Sequence, residues 1–314
     1  MDKRKKDRPH LHLLALAIAV STLALVTAGG LVTTEGAGMA VPDWPTSFGY
    51  SMFSLPLSKM VGGVLYEHSH RLLGSGVGLL ALALAVFVRM REHRRSVRWL
   101  ATAVLLAVII QGVLGGLRVL LVSPPLAMVH AVLAQTFFGL TVALALITSP
   151  YWNRLSACAP VIGSRLWPIA PAITAMIYVQ LILGVITRHM HQATPEHVTG
   201  AMLVFLGVVL VLYETRRSHA GERVLVGTAW FLFALCLAQS VTGLVAIVLR
   251  AERVPDVSLT PLQAIVPTVH VAMGALIFGA SVVLTLCAWK RLHPSNNRTA
   301  TTSSETPVQS TAQA

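Results

Sequence analysis

Eight long apolar runs divide this chain, and they constrain its fold more than any other feature. They cover residues 12–34, 71–90, 99–122, 126–148, 167–187, 196–213, 225–249 and 265–289. Each run meets the requirement of about 20 apolar residues for a helix across the hydrocarbon core of a bilayer. Because lipid offers no hydrogen-bond partner to the backbone, runs this long and uniform predict helices rather than barrel strands. The sequence therefore predicts an all-α membrane protein with eight transmembrane helices.

Basic residues cluster at every second connection and predict how the chain crosses the membrane. The clusters include Lys3 to Arg8, Arg89 to Arg98, Arg154 with Arg165, Arg216 to Arg223, and Lys290 to Arg298. The positive-inside rule places these connections and both termini in the cytoplasm. Topology signals and contacts with anionic lipid account for the net charge of +12, so the charge predicts the lipid bilayer and no nucleic acid as partner.

A long-range repeat divides the chain into two similar halves. The segment VHAVLAQTFFG from Val129 returns as VHVAMGALIFG from Val269, and Q-x-x-x-G recurs in the third, fifth and seventh runs. Four helices in each half give the two halves the same orientation, which predicts two tandem four-helix bundles. The predicted units are a basic cytoplasmic tail (1–11), an N-terminal bundle (12–148) with an outer loop (35–69), a cytoplasmic linker (149–166), a C-terminal bundle (167–290) and a disordered tail (291–314).

Four histidines lie at matched depth near the outer ends of alternate runs: His70, His130, His197 and His270. A histidine at this depth in a bilayer is by default a candidate functional residue. Facing helices of a four-helix bundle build cofactor sites in its core. The pattern predicts that His70 and His130 ligate one iron and that His197 and His270 ligate another. For any single histidine, the alternative is an interfacial residue bonded to a backbone carbonyl.

The number of ligands favours haem over a bare metal ion. Zinc or copper bound by side chains needs three or four converging donors, whereas each half offers two clear ones and a porphyrin supplies four nitrogens itself. Arg118, Arg188 and Arg250 each lie at the outer end of an odd-numbered run, where they could pair with haem propionates. Ordinary snorkelling of arginine to the membrane interface is the alternative.

The two halves differ in their acidic residues. Glu67 lies three residues before His70, whereas Glu196 directly precedes His197. This difference predicts one catalytic half and one electron-transfer half, with Glu67 handling protons beside the N-terminal haem. Complementing a helix dipole is the alternative role for Glu67. His68, His189 and His191 are interpreted as loop residues or weak propionate contacts. None of the three cysteines lies in an outer loop, which predicts no disulfide there within the chain.

These features together resemble the haem A synthase family. The matching segments are GGLVTTEGAGMAVPDWP (29–45), EHSHRLLGSG (67–76), QGVLGGLRV (111–119), VH (129–130) and VH (269–270). The resemblance covers residues 12–290 and rests on the order of the motifs, the eight helices and the four histidines. It departs from many bacterial relatives in one respect, since Ala40-Val41-Pro42 stands where they carry an outer-loop cysteine pair.

The resemblance implies a specific reaction. Haem O would lie near His70, His130 and Glu67, and its C8 methyl would be oxidised stepwise to a hydrated aldehyde that loses water to give a formyl group. Haem b held by His197 and His270 would relay electrons. The implied location is the bacterial plasma membrane, with the haem sites near the outer face. The implied partners are haem O synthase and the assembly pathway of a terminal oxidase, and a homo-oligomer remains open.

Two other interpretations use parts of the same pattern. A non-catalytic di-haem electron-transfer protein of the cytochrome b561 type would need the four histidines but neither Glu67 nor the long outer loop. A transporter built on a parallel repeat would instead favour broken helices with polar residues at the midplane. A prenyltransferase is disfavoured because no helix carries an aspartate-rich motif.

Overall fold

Nine α-helices build the part of the chain that the computed structural model describes, residues 3–155, 164–253 and 257–292. They are α1 (Lys3–Thr34), α2 (Gly63–Arg91), α3 (Arg95–Leu120), α4 (Pro124–Thr148), α5 (Pro150–Arg154), α6 (Leu166–Met190), α7 (Thr194–Ser218), α8 (Arg223–Ala251) and α9 (Pro261–Leu292). These three ranges contain no β-strand. Cys158, part of the predicted linker and the tail predicted to be disordered from residue 293 onward lie outside them.

All helices except α5 are long and apolar enough to span a membrane, which confirms the eight predicted spans. The protein is therefore an all-α, multi-pass membrane protein. The short helix α5 lies within the predicted linker. The outer loop is shorter than the predicted 35–69, because α2 begins at Gly63 and so includes Glu67 in its second turn.

Prolines and serines define where several helices start. Ser123 caps α4 by accepting a hydrogen bond from the Leu126 amide, and prolines follow it at the first helical positions. Ser149 caps α5 in the same way. In α7 a proline again occupies the first turn, just before His197. Proline suits these positions because the first amides of a helix have no intrahelical partner.

The long helices pack as two rings of four. In the first half α1 contacts α2 and α4, and α3 contacts the same two helices. In the second half α6 contacts α7 and α9, and α8 contacts the same two. Each ring encloses its own buried apolar core. The rings meet where α1 and α4 pack on α9 and where α4 packs on α6. This arrangement is consistent with tandem bundles, and the predicted bounds of the units stay a prediction.

A reciprocal contact joins the two halves at the repeated VH…FG segments. The ring of Phe278 fills the notch at Gly139, where an added Cβ would lie 2.6 Å from its Cε1 atom. The ring of Phe138 fills the notch at Gly279 in the same way, at 3.0 Å. Each half thus contributes one phenylalanine side chain and one glycine, as each subunit does at a twofold interface.

Candidate functional site

Each of the four predicted ligand histidines packs against a glycine of the preceding long helix. An added Cβ would meet each ring at a distance tighter than nine in ten real Cβ contacts, and at Gly243 at one that real Cβ atoms essentially never show, so glycine lets the rings lie this near the helix backbone. The contact is measured as the distance from a Cβ atom added at the glycine to the Cε1 atom of the histidine. The pairs are Gly29–His70 (3.0 Å), Gly115–His130 (3.2 Å), Gly184–His197 (3.0 Å) and Gly243–His270 (2.8 Å). The structure therefore gives all four imidazoles the same local setting.

A glutamine one turn before the glycine holds the histidine backbone in three of the four pairs. Its side-chain amide donates a hydrogen bond to the histidine carbonyl. In the remaining pair, α1 has Leu25 at the position of the glutamine. The bonds are Gln111–His130 (3.1 Å), Gln180–His197 (2.7 Å) and Gln239–His270 (3.1 Å). The Q-x-x-x-G pattern of the sequence is thus a histidine-holding element, a role that was not predicted.

The two histidines of the C-terminal half lie close together. The ring centroids of His197 and His270 are 6.3 Å apart, and the ring planes make an angle of 78°. The two imidazoles are therefore close enough that they would hold one iron between them. In the structure the Nδ1 atom of His197 lies 2.9 Å from the Gln180 amide nitrogen, and the Nε2 atom of His270 lies 3.2 Å from the Gln239 amide nitrogen.

The donor set fits a porphyrin better than a bare ion. Among the described residues, no group of three or more His, Cys, Asp and Glu side chains converges on one point. A metal held by side chains alone would lack ligands, whereas haem brings four nitrogens of its own. In the N-terminal half, the Nδ1 atoms of His70 and His130 are buried without a hydrogen bond. Leaving a buried polar atom unpaired costs about 1–3 kcal/mol, so these rings are open to a bonded partner.

The predicted catalytic carboxylate, Glu67, is enclosed rather than free. It is 2% exposed. One oxygen accepts a hydrogen bond from the Val41 amide at 2.9 Å, and the other pairs with the Arg71 guanidinium at 2.8 Å. Glu67 and Arg71 are four residues apart on α2, so both face the outer loop. The carboxylate is therefore fully engaged in holding this loop.

Arg71 makes several of the hydrogen bonds that hold the outer loop, and it was not among the predicted site residues. Its guanidinium donates to the backbone carbonyls of Val41 (2.7 Å), Asp43 (2.6 Å) and Thr46 (3.2 Å) as well as to Glu67. An arginine where an apolar run begins is also typical of an ordinary membrane interface, so the sequence offered no clear signal. The structure shows that this side chain organises residues 41–46.

Two further contacts bind the outer loop to the helices. His68, predicted to be a loop residue, lies on α2 with 1% exposure, and its Nδ1 is 3.1 Å from the Ser47 hydroxyl. The Trp44 indole lies against Gly116 of α3, where an added Cβ would be only 2.3 Å from the ring. The loop is therefore a packed cap over the outer end of the N-terminal half.

Asp43 stabilises the turn that follows Trp44. Desolvation would raise the pKa of its carboxyl, but hydrogen bonds from the Gly49 amide, the Thr46 hydroxyl and the Phe48 amide lower the pKa to about 2. The carboxylate thus remains ionised well into the acid range and keeps the turn closed.

The three predicted propionate partners occupy different positions. Arg118 donates to the Gly38 carbonyl at 3.1 Å, and Arg250 is exposed and donates to a carbonyl of α6. Arg188, although it belongs to the C-terminal half, donates to the Gly30 carbonyl and the Thr34 hydroxyl of α1, both at 2.6 Å. Within the described ranges none of the three pairs with a carboxylate. Arginines without an acidic partner are suited to bind anionic groups such as propionates.

Fold and site together define a class of protein. It is a helical membrane protein with eight spans and, in each half, one pair of histidines that pack against glycines.

Comparison with known proteins narrows this class. A family model described as cytochrome oxidase assembly protein (COX15-CtaA) matches residues 49–196. The haem A synthase of Shouchella clausii is 26% identical over 263 residues, covering 75% of this chain and 86% of the relative. The haem A synthase of Lysinibacillus sphaericus is 23% identical over 299 residues, covering 86% and 92%. The haem A synthase of Alkalihalophilus pseudofirmus is 22% identical over 309 residues, covering 90% and 99%. The chain is therefore similar over most of its length to proteins named haem A synthase, and nearly half of it matches the cytochrome oxidase assembly family model.

Proposed function

We propose that this protein is a haem A synthase, an oxidoreductase that converts the C8 methyl group of haem O into the formyl group of haem A. The observation that carries the proposal is the fourfold glycine–histidine contact, with His197 and His270 close enough together that they would hold one iron. The relatives named haem A synthase, which the chain matches over most of their length, support the same function. Together these observations favour a protein that handles two haems, one in each half.

The halves differ in a way that supports a division of labour. We propose that haem O binds at His70 and His130, because this half has a buried carboxylate, Glu67, three residues before His70, whereas Glu196, directly before His197, is exposed. We propose that haem b binds at His197 and His270, where it would supply one-electron transfer. The proposal keeps the assignment expected from the sequence and adds Arg71, which holds both Glu67 and the loop.

The protein's own residues contribute position, charge and exclusion of water. The glycines let the imidazoles approach the helices, and the glutamines fix the histidine backbones. Arg118 provides positive charge beside the N-terminal pair for a propionate, and Arg188 and Arg250 are proposed to do so in the other half. Glu67 already accepts two hydrogen bonds, so transferring a proton at its carboxylate would require one of them to break. The packed loop limits access of water to this site.

Similarity to the same relatives also supports a proposal for where the protein lies and which proteins act before and after it. We propose that the protein lies in the bacterial plasma membrane with both termini in the cytoplasm and both histidine pairs near the outer face. Haem O synthase would supply the substrate, and the assembly pathway of a terminal oxidase would use the product. The charge pattern of the connections supports this orientation.

The decisive experiment is to identify the haems that the protein holds. The protein is expressed in a membrane host that also makes haem O, purified, and its haems are extracted for chromatography with mass detection. We expect haem A or its hydroxylated precursor in the wild type and neither in Glu67→Ala. Glu252→Ala, at an exposed carboxylate directly after the end of α8, is the matched control and should behave as wild type.

Two other results would contradict the proposal. Haem b alone in every variant, with bis-histidine spectra, would favour a non-catalytic di-haem electron-transfer protein. Absence of any haem would refute the ligand role of the four histidines.

A further inference from the structure

A pocket lined by three arginines opens between α2 and α3, at the end of the N-terminal half opposite its histidine pair. Its volume is about 430 Å³, within the range of roughly 300–1,000 Å³ usual for small-molecule sites. Arg89 comes from the last turn of α2, and Arg95 and Arg98 come from the first turn of α3. Trp99 and Thr102 form another part of the wall, are exposed, and belong to a membrane-spanning segment. The pocket therefore joins a basic mouth to a side that faces lipid.

Among the described residues, no carboxylate pairs with these three guanidinium groups. Between residues 68 and 195 the sequence has a single acidic residue, Glu92, and its carboxylate pairs with Arg94 at 2.9 Å. Arg95 and Arg98 also lie at the N-terminal end of α3, where the helix dipole is already positive, and no acidic residue occupies that turn. Two cations in this turn are unfavourable for the helix, and an anion bound beside them would relieve the repulsion.

We propose that this pocket binds an anionic phospholipid, with the phosphodiester of its headgroup among the three arginines. Guanidinium groups bind phosphate oxygens through two parallel hydrogen bonds, which suits arginine to phosphate recognition. Trp99 is 63% exposed, and an indole is well suited to the boundary between headgroups and acyl chains. Basic pockets between membrane-spanning helices are sites of this kind for lipid headgroups. The inference goes beyond the proposed function and is independent of haem chemistry.

The lining of the pocket favours an anionic lipid over other ligands that carry phosphate. A free phosphate ion would contact the arginines but leave Trp99 and the apolar part of the wall, which includes Ala85, without a partner. A zwitterionic lipid such as phosphatidylcholine would bring an ammonium group close to three positive charges. The positive-inside rule accounts for basic residues in this connection, but it does not require them to share a pocket with an exposed aromatic side chain. An anionic phospholipid matches both the charge and the apolar wall.

The first test measures lipid binding by native mass spectrometry. Delipidated protein in detergent is titrated with dioleoyl phosphatidylglycerol or, for comparison, with dioleoyl phosphatidylcholine. We expect one saturable site that prefers phosphatidylglycerol about tenfold, equivalent to ~1.4 kcal/mol. The double variant Arg95→Gln/Arg98→Gln should lose this preference, whereas Arg154→Gln/Arg216→Gln, at two exposed arginines that do not line the pocket, should bind as wild type. Equal losses in both double variants would show attraction by overall charge and overturn the proposal.

The second test fills the pocket without changing any charge. Thr102→Trp should lower the affinity for phosphatidylglycerol about tenfold, equivalent to ~1.4 kcal/mol. Leu106→Trp, at a 55% exposed residue of α3 that does not line the pocket, should bind as wild type. Because every arginine remains in place, this pair tests the site even if the arginine variant does not fold. Wild-type affinity in Thr102→Trp would overturn the proposal.

A third measurement distinguishes a lipid from a free anion. Phosphatidylglycerol should raise the thermal midpoint of the wild type, because a ligand of the folded state stabilises it, and should raise it less in Thr102→Trp. Millimolar inorganic phosphate should not change the midpoint of either protein. A rise with inorganic phosphate as large as the rise with lipid would show a site for free anions and overturn the assignment to a lipid. None of these measurements involves haem, so their outcome and that of the proposed function are distinguishable.

Discussion

Replacing Gly243 with alanine tests whether the glycines beside the four histidines are needed to hold an imidazole that is bonded to iron. The new Cβ would lie 2.8 Å from the Cε1 atom of His270, whereas ordinary van der Waals contact begins at 3.4 Å. The ring must therefore move by about 0.6 Å, the difference between these distances, which exceeds the ~0.5 Å within which functional groups must be held. In the haem-free protein the ring can turn aside at little cost, but a ring bonded to iron cannot.

The expected result is a loss of haem affinity without a loss of fold. Disturbing the support of a metal ligand typically costs about 10–100-fold in affinity, equivalent to ~1.4–2.8 kcal/mol. The assay is a titration of haem-free Gly243→Ala with haem b, followed by the low-spin bis-histidine spectrum. Gly227→Ala is the matched control on the same helix, because nothing lies within 4 Å of its added Cβ. Gly115→Ala, with 3.2 Å available, should have a weaker effect at its own pair. Wild-type affinity and spectrum in Gly243→Ala would refute the reasoning.

Three further predictions address the cap and the contact between the halves. Gly116→Ala would place a Cβ 2.3 Å from the Trp44 ring, so Trp44 should leave its position and its fluorescence shift to the red, a change that disappears in a Trp44→Phe background. Arg188→Gln removes two hydrogen bonds to α1 and should cost about 1–3 kcal/mol, lowering the thermal midpoint, whereas the exposed Arg250→Gln should have little effect. Because the pKa of Asp43 is lowered from 3.8 to about 2, its contribution to the turn should be complete above pH 3.8 and lost as pH falls through 2. Hydrogen exchange of the amides bound by Asp43 measures this loss, and Asp43→Asn should show weak protection at every pH.

Hydropathy predicted the spans because it reports which segments contact lipid. All eight apolar runs are helices in the structure. The start of α2 was placed too late, since Glu67, His68 and Arg71 are polar and their turns face the loop rather than lipid. A helix can begin well before its apolar stretch when a loop satisfies its polar side chains. For this reason the length of the outer loop was overestimated.

The partners of the site residues could not be predicted in the same way. Arg71 binds a carbonyl 30 residues away, and Arg188 binds one 158 residues away. Such contacts depend on how the helices pack, which the periodicity of a single helix does not encode. The glycines did leave a signal, because Q-x-x-x-G recurs before three of the four histidines. The pattern alone does not show what packs against each glycine, which in the structure is an imidazole.

The reciprocal seating of Phe138 and Phe278 has a consequence for how such a chain can evolve. The two phenylalanines and their two glycines form a self-complementary surface, so two copies of a single four-helix unit would form both contacts at once. At this contact the two halves are arranged like the subunits of a twofold dimer, although they belong to one polypeptide. Once joined, the halves no longer need to be identical. The N-terminal half has a long outer loop held by the Glu67–Arg71 pair, whereas three residues join the corresponding helices α6 and α7 of the C-terminal half.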